Sequence, residues 1–103
     1  MKTFILAYYG EPKFDSPEKG AKHMEKWKAW VGGLGEVMVN PGTPLGKAKI
    51  VSFKGVSDDD ASNRLTGFSI VKAAGMDAAL EMAKGCPFLE HGTLHVAEVM
   101  EMK

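Results

Sequence analysis

Thr3-Phe4-Ile5-Leu6-Ala7-Tyr8-Tyr9 is the stretch on which the fold turns. In an extended strand, Phe4, Leu6 and Tyr8 point to one face and Ile5, Ala7 and Tyr9 to the other. Both faces are largely apolar, which is the pattern of a strand covered on both sides. The apolar stretch Phe4 to Tyr9 is too short for a membrane span or a signal-peptide core, so a buried first strand is expected. Gly10-Glu11-Pro12 ends it.

Ser16-Pro17-Glu18 is a helix start, with a capping hydroxyl, proline at the first helical position and an acid at the positive end of the dipole. The spacing predicts a helix from Pro17 to about Val31. His23, Trp27, Trp30 and Leu34 lie on one line of it, beside Ala21, Met24, Lys28 and Val31. Gly32-Gly33 is expected to stop it.

Glu36–Asn40 is a short strand candidate, and Pro41-Gly42-Thr43-Pro44 a rigid turn. Lys49–Phe53 is a second short strand, and 54–64 reads as a loop or hairpin connection. Leu65–Ala74 alternates Phe68, Ile70 and Lys72 with Ser69, Val71 and Ala73. A second helix is expected over 77–84, closed by Gly85 and Pro87, and a last strand over 93–100.

The order is β-α-β-β-α-β, an α+β chain that folds most simply as an antiparallel sheet with both helices on one face. The 103 residues fit one domain, residues 1–103. Nothing in the chain is left to cover the other face, although Phe68, Ile70, Leu94 and Val96 alternate with Val71, Ala73, Ala97 and Val99. An apolar face of that kind marks an association site, and a second copy meeting it sheet to sheet gives a homodimer.

Lys+Arg and Asp+Glu are both 13, so no basic excess argues for nucleic acid and no acidic block for a solvating tail. The hydrophobic content of 45% and charged content of 25% are those of an ordinary soluble domain. Cys86 is the one cysteine; it permits no internal disulfide and suits a reducing, cytoplasmic setting.

The segments Trp27-Lys28-Ala29-Trp30, Leu34-Gly35, Asn40 to Leu45, Gly67 to Ala73, Asp77 to Leu80, Ala83 to Leu89 and Leu94 to Val99 resemble, in order and spacing, the YCII-related (DGPF-type) family. The resemblance implies a ferredoxin-like subunit that pairs into a dimeric α+β barrel. It also implies, for one branch, a His–Asp pair near a cleft. His23 lies near that histidine, and Asn40 stands where the carboxylate would be expected. Asp58-Asp59-Asp60-Ala61 occupies the approximate place of the family's Asp-Gly-Pro-Phe run.

His23 beside Trp27 and Trp30 suits a pocket for a flat or carbonyl-bearing small molecule, with His23 as acid or base, Tyr8 and the two indoles as walls and Asn40 as an orienting group. The plainer reading is a helix stripe packed on the sheet. His23, His91 and His95 are scattered and lack paired-ligand spacing, so no metal is expected, and no cofactor motif is present. His95 is placed either beside Tyr8 or in the core. Asp58-Asp59-Asp60 lacks the calcium-loop pattern and reads as a solvated loop. Cys86 follows a helix, the wrong end to lower a thiol pKa, and reads as buried and structural. Gly32-Gly33-Leu34-Gly35 follows a helix rather than preceding one, so it is no phosphate loop. The tail from Met100 to Lys103 reads as frayed. An enzyme acting on a small metabolite, a non-catalytic ligand-binding module, and a subunit that modulates another protein through a strand edge all stay open.

Overall fold

The computed structural model describes residues 1–59 and 63–101. Its strands are β1 (Lys2–Tyr9), β2 (Met38–Asn40), β3 (Ala48–Ser52), β4 (Gly55–Asp59), β5 (Leu65–Ala73) and β6 (Thr93–Glu98). Its helices are α1 (Pro17–Leu34) and α2 (Met76–Lys84), with 3-10 turns at Gly35–Val37 and Pro87–Glu90. The main sheet is antiparallel in the order β2-β5-β1-β6, the ferredoxin-like arrangement, and β3 and β4 form a separate hairpin.

Register decides which residues meet. Phe4 opposes Val71 and Glu98, Leu6 opposes Ser69 and Val96, and Tyr8 opposes Gly67 and Leu94. This face carries the core: Phe4, Leu6 and Val71 are fully buried, and Ala79, Ala83, Cys86 and Phe88 close over them from α2 and the segment after it. Trp27, Trp30, Val31 and Leu34 pack on the same core from α1. The opposite face brings Ile5 beside Ile70 and Ala97, and Ala7 beside Phe68 and His95. The strands at its centre are half-buried there, and among the described residues the core contacts of both helices lie on the other face.

Several element boundaries differ from the sequence reading. Helix α1 does not stop at Gly32-Gly33; it continues to Leu34 and is capped by Gly35, whose φ of 60° is left-handed and whose N–H reaches the Val31 carbonyl. Two internal glycines cost about 1 kcal/mol each, and the contact of Leu34 with the core offsets part of that cost. The short strand expected from Glu36 begins only at Met38, because Gly35–Val37 is a 3-10 turn. Strands 65–74 and 93–100 end one and two residues early, at Ala73 and Glu98.

Of the loop and hairpin readings of the stretch after Lys49–Phe53, the structure has the hairpin, and it stands apart from the main sheet. Residues 48–52 pair with 55–59 and leave the main sheet, so Asp58 and Asp59 belong to β4, and Asp58 pairs with Lys49 across the hairpin. Asp60, Ala61 and Ser62, and Met102 and Lys103, fall outside the described residues. Val51, Phe53 and Val56 are exposed on this arm. No helix among the described residues is long and apolar enough to cross a membrane.

Candidate functional site

A cavity of about 440 Å³ lies between the C-terminal half of β1, the first half of α1 and the Pro41–Leu45 turn. Tyr8 and Trp27 form its inner wall, edge to face with ring centroids 5.6 Å apart, and Phe88 packs on Tyr8 at 5.2 Å. Phe14 and His23 line another side. Arg64 and Glu11 also line it, and the Arg64 guanidinium pairs with the Glu11 carboxylate at 3.2 Å.

The turn is held over the cavity by backbone and side-chain bonds. The Leu45 N–H donates to the Thr66 carbonyl at 2.9 Å, and Pro44 bridges to Gly67. Gly42 has φ 79°, and a Cβ there would fall 1.7 Å from the Phe68 carbonyl oxygen, so only glycine lets the turn lie so close to β5. From the sheet side, the Ser69 hydroxyl donates to the Pro41 carbonyl at 2.7 Å. Its one proton being used, Ser69 accepts from the Tyr8 hydroxyl. Ser69 is fully buried, so this chain of bonds is the polar element of an otherwise apolar core. Burial pushes the Tyr8 phenol well above its ordinary value, which makes it a fixed donor rather than a proton carrier.

His23 is a titratable group on the side lined by Phe14. Burial holds its pKa below the ordinary histidine value, and the neighbouring His91 adds to the effect; Glu90 opposes it. The imidazole is therefore neutral at pH 7 and able to accept a proton. Its Nδ1 is occluded from water and has no hydrogen-bond partner, as does Nε of Arg64. His23 also packs against Phe14 at 5.2 Å and His91 at 5.0 Å, and Phe14 lies 4.9 Å from His91.

Tyr8, His23 and Trp27 thus share one cavity, whereas Trp30 and Asn40 do not line it. Trp30 stacks behind Trp27 at 5.2 Å and donates its indole N–H to the Met82 carbonyl at 3.0 Å, which makes it a tie between the helices. Asn40 spends its side-chain oxygen on the Gly42 N–H at 2.8 Å, so it shapes the turn rather than orienting a ligand directly. His95 is on the opposite sheet face, 4.3 Å from Tyr9, neither in the core nor beside Tyr8. Cys86 is buried and free, and burial pushes its thiol up to about 11.

The expectation that the histidines are scattered fails for two of them. His91 follows the turn Pro87–Glu90, whose 3-10 geometry carries it back against α1, where it meets His23 with Glu90 beside them. Phe14, Arg64, Phe88 and His91 were absent from the expected site. No local spacing marks them, since they reach the cavity or its edge from three separate connections; the apolar Phe14 in a polar connection was the one available hint.

Among known proteins, the YCII-related domain model matches residues 1–103. No curated protein matches the chain. Among solved structures, a 5-chloro-2-hydroxyhydroquinone dehydrochlorinase from Burkholderia phenoliruptrix AC1100, in complex with 2,5-dihydroxybenzoquinone, superimposes with a TM-score of 0.61 at 17% identity. The superposition covers 97% of this chain and 95% of that one. At that identity the likeness is one of fold.

Proposed function

We propose, from the premise that the chain belongs to the YCII-related family, that its cavity binds a small, flat, oxygen-bearing ring compound and that His23 exchanges a proton with it. The observation that carries this reading is the lining itself: aromatic walls from Tyr8, Trp27 and Phe88, with one neutral imidazole and one guanidinium at the same space. A 440 Å³ cavity lies in the ordinary range for small-molecule sites. Aromatic faces favour a planar ligand, Arg64, with its Nη1 engaged by Glu11, has further N–H donors for ligand oxygens, and His23 supplies a base. The structural neighbour is a dehydrochlorinase solved with 2,5-dihydroxybenzoquinone, a compound of this kind.

The same proposal includes a homodimer formed through the open sheet face, where Ile5, Ala7, Phe68, Ile70 and Ala97 are adjacent across three strands. Two such faces packed together remove apolar surface from water that no element of the chain removes. The single, buried cysteine suits a cytoplasmic setting.

The test is a thermal-shift screen of hydroxylated and quinonoid ring compounds, followed by calorimetry on any compound that raises the melting temperature. A true ligand at a hundredfold its Kd stabilises by about 2.7 kcal/mol. Trp27→Ala should remove the shift, and His23→Ala should keep affinity while abolishing turnover. A shift that survives Trp27→Ala places the ligand elsewhere and refutes the reading. Sedimentation at micromolar concentration tests the dimer; a stable single chain refutes that part.

A further inference from the structure

His23, Glu90 and His91 each offer one ligand atom, and these atoms all lie within 4.8 Å of one another. Around a tetrahedral zinc-class ion, with ligand bonds of about 2.0–2.2 Å, donor atoms sit roughly 3.3–3.5 Å apart. The cluster is therefore within about 1.5 Å of ligating geometry, a shift that side-chain rotation supplies. The unpartnered, water-occluded Nδ1 of His23 belongs to this cluster's own histidine, and buried polar atoms without a partner are uncommon in folded proteins.

We infer that His23, Glu90 and His91 form a site for one divalent transition-metal ion of the zinc class at the edge of the cavity. Two imidazoles and a carboxylate suit borderline ions such as Zn²⁺ and leave a fourth position open. Phe14 packs against both imidazole rings and holds their planes. The competing partner is Lys26, whose ammonium lies 3.0 Å from Glu90. That pair is solvent-exposed on both sides, and exposed ion pairs are weak and screened by salt, so a divalent ion displaces it. Metal at His23 uses a ring lone pair, so a filled site withholds that nitrogen from proton transfer. The site would act as a metal-sensitive brake on chemistry in the cavity, although its existence requires only the three donors and not the ligand reading above.

The intact chain, stripped with EDTA, is titrated with Co²⁺ and with Zn²⁺ in competition with a chromophoric chelator. The expected result is one ion per chain and the visible absorption of tetrahedral Co²⁺. His91→Gln and Glu90→Gln should each weaken binding by about tenfold or more, since each removes a donor. His95→Gln, on the far sheet face, should leave it unchanged. Glu90 is exposed, so Glu90→Gln keeps the test sound even if a histidine variant folds poorly. No uptake at micromolar metal, affinity unchanged by Glu90→Gln in a folded protein, or binding lost with His95→Gln would each overturn the site. None of these outcomes bears on whether Trp27 and Tyr8 hold a ring compound.

Discussion

Replacing Ser69 with Ala removes a hydroxyl that serves two partners at once. It accepts from the Tyr8 hydroxyl and donates to the Pro41 carbonyl at 2.7 Å. Tyr8 is buried, so its hydroxyl is left with only the weakly accepting Cys86 sulfur nearby. A buried donor without a partner costs about 1–3 kcal/mol. The Pro41 residue is exposed, so water can replace the lost donor there at about 0–1 kcal/mol. The sum is about 2 kcal/mol, which for a domain of this size lowers Tm by roughly 10 °C. Urea unfolding followed by tryptophan fluorescence measures it, with the midpoint falling by about 1 M at an unchanged slope. Tyr8→Phe alone should cost about 1 kcal/mol, because Ser69 keeps its bond to Pro41. The double variant should cost less than the two single costs added, because it leaves no phenol unpaired. Ser69→Ala within about 0.5 kcal/mol of wild type, or a double variant that is simply additive, would show that this chain of bonds does not hold the turn to the sheet.

Gly42→Ala should be destabilising by about 2 kcal/mol or more, from left-handed strain and from a Cβ driven against the Phe68 carbonyl. Hydrogen exchange at the Leu45 amide, which is bonded to Thr66, should accelerate as the turn lifts; unchanged protection there contradicts the packing. Cys86, raised from 9.0 to about 11, has its thiolate fraction cut about a hundredfold, two pKa units. It should therefore react with iodoacetamide at pH 8 at least that much more slowly in the folded protein than in urea, and comparable rates would refute its burial. His23 has a lowered pKa in the folded state, so the unfolded chain binds the proton more readily. Stability should be fully present above about pH 7 and decline as the pH falls through 6.5, the ordinary histidine value. In metal-free buffer His23→Asn should flatten that decline, and a wild type that gains stability on acidification would contradict it.

The strand alternation of Phe4 to Tyr9 and of Gly67 to Ala73 was enough to place two sheet faces, because a period of two leaves each side chain one possible side. The capping residues Ser16 and Pro17 likewise located the start of α1 where it is found. Its end is not legible locally, because Leu34 packs on the core and the helix continues past Gly32-Gly33. The same limit applied to the hairpin. Lys49 to Phe53 has the composition of a sheet strand, yet its pairing partner is the adjacent 55–59 rather than the main sheet.

The candidate site divides along that line. Tyr8, His23 and Trp27 could be read from β1 and α1, since regular elements project their side chains at predictable angles. Trp30 shares the helical stripe but is turned toward α2 by its bond to Met82, a contact no periodicity encodes. Arg64, Phe14 and His91 come from connections, whose paths depend on what they pack against.

The amino-acid order alone determined the class of fold, the division of strand residues between two sheet faces, and the balanced charge, because these follow from local periodicity and composition. Only the tertiary structure decided that His23 meets His91 and Glu90, that Trp30 is tied to Met82, and that Phe14 and Arg64 reach the cavity beside α1. Those are meetings of residues distant along the chain, set by how helices and loops close over the core, and a short window of sequence contains no term for them.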